Sequence, residues 1–181
     1  MNAIQLRSAN LSDAASLGAV HVAAWHETYT GILPEEMLAS LSVEGRAAMW
    51  SKILAAPAPF SGTAVYVSED HDRIVGFGAC GQPRDEELAY MGFDGEIGAI
   101  YVLRSHQRLG IGRSLMGMMA QALLVQGCTA ATLWVVREHG SARNFYDHLG
   151  GKVVGEKKDE RPNATLFEVA YGWHDLSRLV C

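Results

Sequence analysis

The stretch Gln107-Arg108-Leu109-Gly110-Ile111-Gly112 decides how the rest of the chain is interpreted. It follows a mostly apolar run at 96–103, which has the composition of a strand buried on both faces. It precedes residues 112–126, where apolar residues recur at helical spacing and Gly127 marks the end. A glycine-rich turn that enters a helix leaves backbone N–H groups without helical acceptors, and the helix dipole adds to their attraction for anions. The pattern therefore predicts a phosphate-binding loop.

Three phosphate-binding motifs and a plain tight turn compete for this stretch. A Walker loop requires a lysine where the chain has Arg113, between Gly112 and Ser114. A dinucleotide fingerprint requires a third glycine at the position of Leu115. The remaining motif holds the pyrophosphate of coenzyme A, and Gln107 to Gly112 resembles the (Gln/Arg)-x-x-Gly-x-(Gly/Ala) signature of the GNAT superfamily of N-acetyltransferases.

The resemblance extends beyond the loop. The segment from Ala142 to Gly150 is similar to the family's A-x-x-F-Y-x-x-x-G element, and Trp25, Tyr29 and the Gly-Ile-Leu-Pro at 31–34 are similar to small bacterial members. The chain departs from the family at His139, where an asparagine is frequent. It also has Gly151 where a phenylalanine often follows the glycine.

The order of predicted elements indicates the fold. In the first half of the chain, the patterns predict a strand at 4–7, a helix capped by Ser12 or Asp13, a short helix after Pro34 and a helix capped by Ser42. A hairpin of 63–68 and 73–81 and a polar loop at 83–95 follow. After the central strand and helix, the patterns predict a strand at 129–136, a helix capped by Ser141 that runs to Leu149, and a closing hairpin of 152–154 and 164–171 around a charged turn at 156–161. The two buried strands, joined by a helix, are expected to be parallel neighbours in a right-handed crossover. We therefore predict an α/β (α+β) fold of the GNAT type. It comprises one domain over residues 1–181, with a mixed, mostly antiparallel, splayed sheet and helices on both faces.

Composition excludes several classes of function. The chain has 181 residues, 49% of them hydrophobic, and a formal net charge of -5, which argues against a nucleic-acid partner. Its three cysteines form no CxxC pair and no HExxH spacing occurs, so no metal and no disulfide framework are assigned. The start of the chain lacks a signal-peptide pattern, and the longest apolar stretch, 115–125, is too short to span a bilayer. A cytoplasmic protein without a membrane partner is expected.

The family resemblance implies acetyl-CoA as co-substrate and direct transfer to an amine in a ternary complex. It implies that the cofactor pairs with the fourth strand, at 100–102. It also implies that one backbone amide there, assigned to Val102, stabilises the thioester oxygen. Tyr146 is the candidate acid for the leaving thiolate, and Glu96 the candidate general base. An equally plausible interpretation of Glu96 is a solvated strand end, and His26, Glu27 and His139 are weaker candidates for the base. The predicted cofactor-binding residues are Ile100, Tyr101, Val102, Gln107, Arg108, Leu109, Gly110, Ile111, Gly112, Arg113, His139, Asn144 and Tyr146.

The acceptor is less well defined by the sequence. Acidic residues at 85–87 and Asp94 are expected around its entrance, with Trp25, Glu27 and Tyr29 as weaker substrate contacts. These charges favour a small cationic primary amine, although peptides remain possible acceptors. The rival functions are an acyl-CoA sensor without turnover and a nucleotide-dependent oxidoreductase, which the missing third glycine disfavours. A homodimer is possible.

Overall fold

The computed structural model describes residues 4–161 and 164–180. Within these residues, seven strands form one sheet in the order β1-β2-β3-β4-β5-β7-β6, in which only the β4–β5 pair is parallel. The strands are β1 (Gln5–Ser8), β2 (Ala64–Asp70), β3 (Arg73–Gly81), β4 (Gly95–Val102), β5 (Ala131–Val136), β6 (Lys152–Arg161) and β7 (Ala164–Trp173). The helices are α1 (Ala14–Tyr29), α2 (Glu35–Ala39), α3 (Val43–Ala55), α4 (Glu86–Tyr90), α5 (Ile111–Val125) and α6 (Gly140–His148), with short 3-10 turns between them.

The helices cover both faces of the sheet. On one face, α1 and α3 bury Leu17 and Trp50 against Phe77 of β3. On the other, α5 buries Met119 and Leu123 in the largest core cluster, which includes strand residues from β3, β4, β5 and β7. Burial of these side chains is the main stabilising term. The predicted mixed, splayed sheet with helices on both faces is confirmed.

The parallel strands β4 and β5 separate soon after they begin. They pair only at Gly95↔Ala131 and Glu96↔Thr132. The first three residues of β4 are buried, whereas those from Gly98 onward are exposed or half-buried. The prediction that this strand is buried on both faces is therefore correct only for its first part, because the divergence of β5 opens a cleft along the rest.

Local predictions differ from the structure in three places. The segment 156–161 is not a turn but part of β6, where it pairs with β7 and where Lys157 forms an ion pair with Glu168 at 3.4 Å. The polar loop at 83–95 contains α4, whose N-cap Asp85 accepts from the backbone N–H groups of Glu87 and Leu88. Finally, α6 begins with His139 as its N-cap and Ser141 lies inside it.

In the part of the chain that the structure describes, no helix is long and apolar enough to cross a membrane.

Candidate active site

A cavity of about 670 Å³ fills the cleft between β4 and β5. This volume is in the range of small-molecule sites. Its walls are the second half of β4, the middle of β5, the turn before α5, the length of α6 and the end of α1. The lining residues are Thr28, Tyr29, Ile97, Gly98, Ala99, Ile100, Tyr101, Val102, Gln107, Arg108, Gly110, Gly112, Arg113, Leu133, Trp134, Val135, His139, Ser141, Ala142, Asn144, Phe145, Tyr146 and His148.

A β-bulge at Gly98 sets the direction of the backbone along the cleft. β3 pairs through Ala79↔Ala99 and then through Cys80↔Ile97, so Gly98 has no partner in that register. An added Cβ on Gly98 would lie 3.4 Å from the guanidinium of Arg84. The bulge exposes Gly98 and shifts the later residues of β4 by one position relative to β3.

The amides of Ile100 and Val102 consequently face the cleft. Leu103 donates its backbone N–H to the carbonyl oxygen of Val75 on β3 at 2.9 Å. Bonded and non-bonded pairs alternate along an antiparallel ladder, so Tyr101 and Ala99 are also bonded to β3. The N–H and C=O groups of Ile100 and Val102 therefore point toward the diverging β5. The side chain of Gln107 donates to the carbonyl oxygen of Val102 at 3.0 Å.

The turn before α5 has the geometry of an anion cradle. Gly110 is the N-cap of α5 with φ of 84°, and Arg108 also has a left-handed φ of 62°. Glycine adopts this conformation without the strain that a Cβ imposes. No side chain caps α5, so the N–H groups of its first turn have no intrahelical acceptor, and residues of this turn line the cavity together with Arg108 and Arg113. This arrangement fits a pyrophosphate.

Gly112 has a packing role as well. An added Cβ there would lie 3.2 Å from the ring of Phe145 on α6. The glycine thus lets α6 approach the start of α5 closely, and that approach forms the cavity wall.

Tyr146 is buried on α6 and also lines the cavity. Its ring packs against Tyr171 and Trp173, with ring centroids 5.5 and 6.1 Å apart. Burial raises the pKa of the Tyr146 hydroxyl above its ordinary value, and the nearby Tyr29 adds to the rise. The hydroxyl is therefore protonated at neutral pH and can donate a hydrogen bond or a proton.

The opposite end of the cavity has an aromatic wall. The hydroxyl groups of Tyr29 and Tyr101 lie 3.3 Å apart, and the ring of His139 meets the ring of Tyr29 edge-on at 5.9 Å. Burial raises the pKa of both tyrosines and lowers that of His139. The wall is consequently uncharged at neutral pH.

Most of the predicted cofactor residues come together in the cavity, and two do not. Leu109 is exposed outside it, and Ile111 is buried against Val75 and Leu115. Of the predicted substrate contacts, Tyr29 lines the cavity. Trp25 instead packs under the guanidinium of Arg46, and Glu27 accepts from the backbone N–H of Arg104 at 2.7 Å.

Glu96 is buried and is not among the residues that line the cavity. Its carboxylate accepts from the backbone N–H of Arg84 at 2.8 Å and from two nitrogens of the Arg84 guanidinium. This bonding raises the pKa of Arg84. The base role of Glu96 stays a prediction that this geometry does not favour, because the carboxylate is paired with Arg84 and does not line the cavity.

The acidic residues expected around the acceptor entrance, at 85–87 and Asp94, are not among the residues that line the cavity. Asp85 caps α4, and Asp94 accepts from the backbone N–H groups of Thr129 and Ala130. Both carboxylates accept hydrogen bonds from nearby backbone N–H groups, which is a structural role. The sequence alone does not distinguish this role from attraction of a cationic substrate.

Several lining residues were absent from the predicted site. The sequence could have indicated two groups of them: the middle of β5 flanks the predicted cleft, and Phe145 belongs to the motif that contains Tyr146. No sequence pattern indicates Gly98, because a bulge depends on the register between two strands. The residues missed are Thr28, Ile97, Gly98, Ala99, Leu133, Trp134, Val135, Ser141, Ala142, Phe145 and His148.

Within residues 4–161 and 164–180, no three His, Cys, Asp or Glu side chains are grouped so that they could hold a metal ion.

A mixed sheet that splays between two central parallel strands, with an anion cradle beside the cleft, is the architecture that the sequence resemblance predicts for an N-acetyltransferase. Residues 23–150 match the model of the acetyltransferase (GNAT) family. The chain is also 34% identical over 177 residues to YuaI of Bacillus subtilis (strain 168), an uncharacterized N-acetyltransferase, and the match covers 97% of this chain and 96% of that protein. The chain therefore belongs to the GNAT acetyltransferase family, and the predicted family is confirmed.

Solved structures share the fold. The PaiA N-acetyltransferase of Thermoplasma acidophilum, in complex with coenzyme A, matches with a TM-score of 0.74 and 18% identity, over 95% of this chain and 100% of that one. The structure of yncA from Salmonella typhimurium with its cofactor acetyl-CoA matches with a TM-score of 0.69 and 18% identity, over 97% of this chain and 95% of that one. At this identity the likeness concerns the fold.

Proposed function

We propose that this chain transfers the acetyl group of acetyl-CoA directly to a primary amine within a ternary complex. One observation carries the proposal: a single cavity joins the anion cradle at Gly110 to the aromatic wall at Tyr29, with the free edge of β4 between them. Acetyl-CoA supplies the thioester carbon that the amine attacks, and the protein's own groups bind, orient and manage protons.

The anion cradle and the arginines beside it would hold the pyrophosphate. The positive φ of Arg108 and Gly110 turns backbone N–H groups toward one concave site, as in other anion-binding nests. Arg108 and Arg113 add positive charge at the same cavity end.

The edge of β4 would act on the carbonyl oxygen as it gains negative charge. The amides of Ile100 and Val102 face the cleft, and Val102 is the predicted donor. A preorganised backbone N–H in a partly dry cleft stabilises such charge without any cost of reorientation at the moment of reaction. The amide of Ile100 is the neighbouring alternative on the same edge.

Tyr146 would protonate the leaving thiolate. Its raised pKa keeps the proton in place until a base as strong as a thiolate forms beside it. A thiol with a pKa near ~8.5 leaves fairly well unaided, so this contribution belongs at the low end of acid catalysis.

Direct transfer is favoured over a cysteine-linked intermediate. Cys80 and Cys128 both lie outside the cavity lining, and burial raises the pKa of the Cys80 thiol to about 12. A buried thiol with such a pKa is a poor nucleophile. The third cysteine, Cys181, lies outside the described residues.

The acceptor preference for a small cation is a separate proposal. The acidic loop that suggested it does not line the cavity, so its remaining support is the aromatic wall, on which a cation or its alkyl stem can pack. The dependence of turnover on added salt tests it: turnover that prefers acidic or neutral acceptors and ignores salt contradicts it.

The decisive experiment measures release of the coenzyme A thiol from acetyl-CoA with a panel of primary amines, and identifies the acetylated product by mass. The panel contains alkyl diamines, amino acids, peptides and aminoglycosides. We expect thiol release that depends on at least one amine. Binding of acetyl-CoA without release for any amine would instead support the sensor function.

A further inference from the structure

The proposed transfer requires a group that removes a proton from the attacking amine, and this inference rests on that proposed function. A lysine-like amine has a pKa near ~10.4 and is mostly protonated at neutral pH. Among the described residues that line the cavity, none is Asp or Glu. The lining residues with a basic nitrogen that can be neutral at pH 7 are His139 and His148.

The two histidines lie at opposite ends of α6. His139 is its N-cap and His148 its last residue, so roughly 13 Å separates them along the helix axis. His148 is exposed, and its Nδ1 is bonded to the carbonyl oxygen of Asn144 at 2.6 Å. His139 lies instead at the aromatic wall, where its ring contacts Tyr29.

The backbone of His139 is fixed while its ring nitrogens are available. Its N–H donates to the carbonyl oxygen of Val136 at 2.9 Å, and its carbonyl oxygen accepts from the N–H of Arg143 at 3.1 Å. For the part of the chain described, no hydrogen bond engages either ring nitrogen. A half-buried imidazole that is held by its backbone and open at its nitrogens can accept a proton from a bound ligand.

The surroundings of His139 keep it uncharged before the reaction. Burial lowers the pKa of His139 below its ordinary value of 6.5. From α1 it faces the hydroxyl-bearing ring of Tyr29, and on its own loop Arg137 and Glu138 pair with each other at 3.4 Å. On β7, Glu168 is close enough to act on Tyr29 but is paired with Lys157. The imidazole is therefore a free base at neutral pH.

We propose that His139 is the general base that takes the proton from the acceptor amine. One proton moves from the ammonium nitrogen to the imidazole, and the freed electron pair forms the bond to the thioester carbon. The carbon–sulfur bond then breaks, and the thiolate takes the hydroxyl proton of Tyr146. The second amine proton restores that hydroxyl, and His139 releases its proton to solvent. The sum is an amide, a thiol and one proton from an ammonium ion and a thioester.

The competing candidate is Glu96. Glu96 is not among the residues that line the cavity, and uptake of a proton would neutralise the carboxylate that pairs with Arg84. His139 lines the cavity and can accept a proton without the loss of an ion pair. The two assignments predict different pH profiles, and that difference is measurable.

The test compares kcat/KM against pH for wild type, His139→Gln, Glu96→Gln and His71→Gln. His71 is an exposed histidine on the β2–β3 turn and serves as the matched control. The acceptors are two probes, an alkyl diamine with an amine pKa near ~10.4 and a short lysine-free peptide whose α-amino pKa is near ~8. Affinity for coenzyme A is measured for each variant by calorimetry.

We expect His139→Gln to lower kcat/KM for the diamine by about 100-fold at pH 7, with a smaller loss for the peptide and partial recovery at high pH. The acid limb of the wild-type profile should lie below pH 6.5 and disappear in this variant, but persist in Glu96→Gln and His71→Gln.

Unchanged activity and an unchanged acid limb in His139→Gln would overturn the inference alone. A uniform loss at every pH together with weakened coenzyme A binding would also overturn it, since that result marks a cofactor contact. A wild type that turns over no amine would overturn the proposed function, and the base assignment with it.

Discussion

The side-chain amide of Gln107 donates to the carbonyl oxygen of Val102 at 3.0 Å. This bond ties the anion cradle to the open edge of β4, the two parts of the cavity that would hold the pyrophosphate and the thioester under the proposed function. It also satisfies a carbonyl group that the divergence of β5 leaves without a strand partner. The relative position of cradle and strand edge therefore depends in part on one side chain.

Replacement of Gln107 by leucine should weaken coenzyme A binding about fivefold, since loss of one such hydrogen bond costs about 1 kcal/mol. Calorimetric titration with coenzyme A measures the effect. Gln121→Leu, at an exposed position of α5, is the control and should bind as wild type does. Equal affinities in the two variants would show that the bond does not position the cradle.

Gly110→Ala should weaken coenzyme A binding at least tenfold, because its φ of 84° strains any residue with a Cβ. Gly127, at the other end of α5, has φ of 90° and equally open space around it, so Gly127→Ala is a matched control for backbone strain. Both variants should lose about 1 kcal/mol of stability in denaturant titrations. The idea fails if the two variants also lose affinity equally.

Tyr146→Phe should lower kcat by about 100-fold with little change in the KM for acetyl-CoA, since only a proton donor is removed. Tyr171→Phe is the control: this ring packs against Tyr146 but its hydroxyl meets Arg143 outside the cavity lining. Steady-state kinetics over a range of pH measures both. Wild-type kcat in Tyr146→Phe would reduce the residue to a packing role.

Local patterns predicted the cradle, and the reason is physical. A glycine turn, the helix that follows it and the apolar strand before it are encoded within one continuous segment, 96–126, which is a single strand–helix unit. The parallel placement of β4 and β5 followed from the crossover rule. The same local elements therefore identify Arg108, Gly110 and Gly112 from the sequence.

Features that depend on pairing between distant segments could not be predicted. The bulge at Gly98 arises from the register of β4 against β3, and only that register turns the amides of Ile100 and Val102 into the cleft. The bonding of Glu96 to Arg84 depends on the path of a loop. Charged residues 156–161 resembled a turn because their strand character comes from pairing with β7.

Glu96→Gln should lower the free energy of unfolding by about 1 kcal/mol, because Glu96 is only 5% exposed but solvent screens the charge of Arg84, whose side chain is 66% exposed. Glu160→Gln, which removes an exposed ion pair with Lys158 on β6, should change stability by less than about 0.5 kcal/mol. Urea denaturation distinguishes them. Equal stabilities would mean that the Arg84–Glu96 pair contributes nothing and that Glu96 is free for another role.

Stability should fall between pH 6.5 and pH 4 because of His21, which stacks against Tyr101 behind the cavity wall. Burial lowers the pKa of His21 from 6.5 to about 4, and the charge of Arg46 adds to the shift. The folded state thus binds fewer protons than the unfolded state in this window, so stability is full above pH 6.5 and is lost as pH falls, by about 3 kcal/mol at pH 4.

The Nδ1 of His21 accepts from the indole N–H of Trp50 at 3.2 Å, and His21→Asn offers an acceptor oxygen for the same donor. That variant should be less stable at pH 7 but should depend on pH much less than wild type between 6.5 and 4.5, with a residual slope from His139, whose pKa is also lowered by burial. This range stays above the titration of Asp13, whose pKa is lowered by Arg7. Urea denaturation at half-unit pH steps measures the slopes, with His71→Asn as the exposed-histidine control. If wild type and His21→Asn lose stability in parallel as the pH falls, a group other than His21 causes the acid sensitivity.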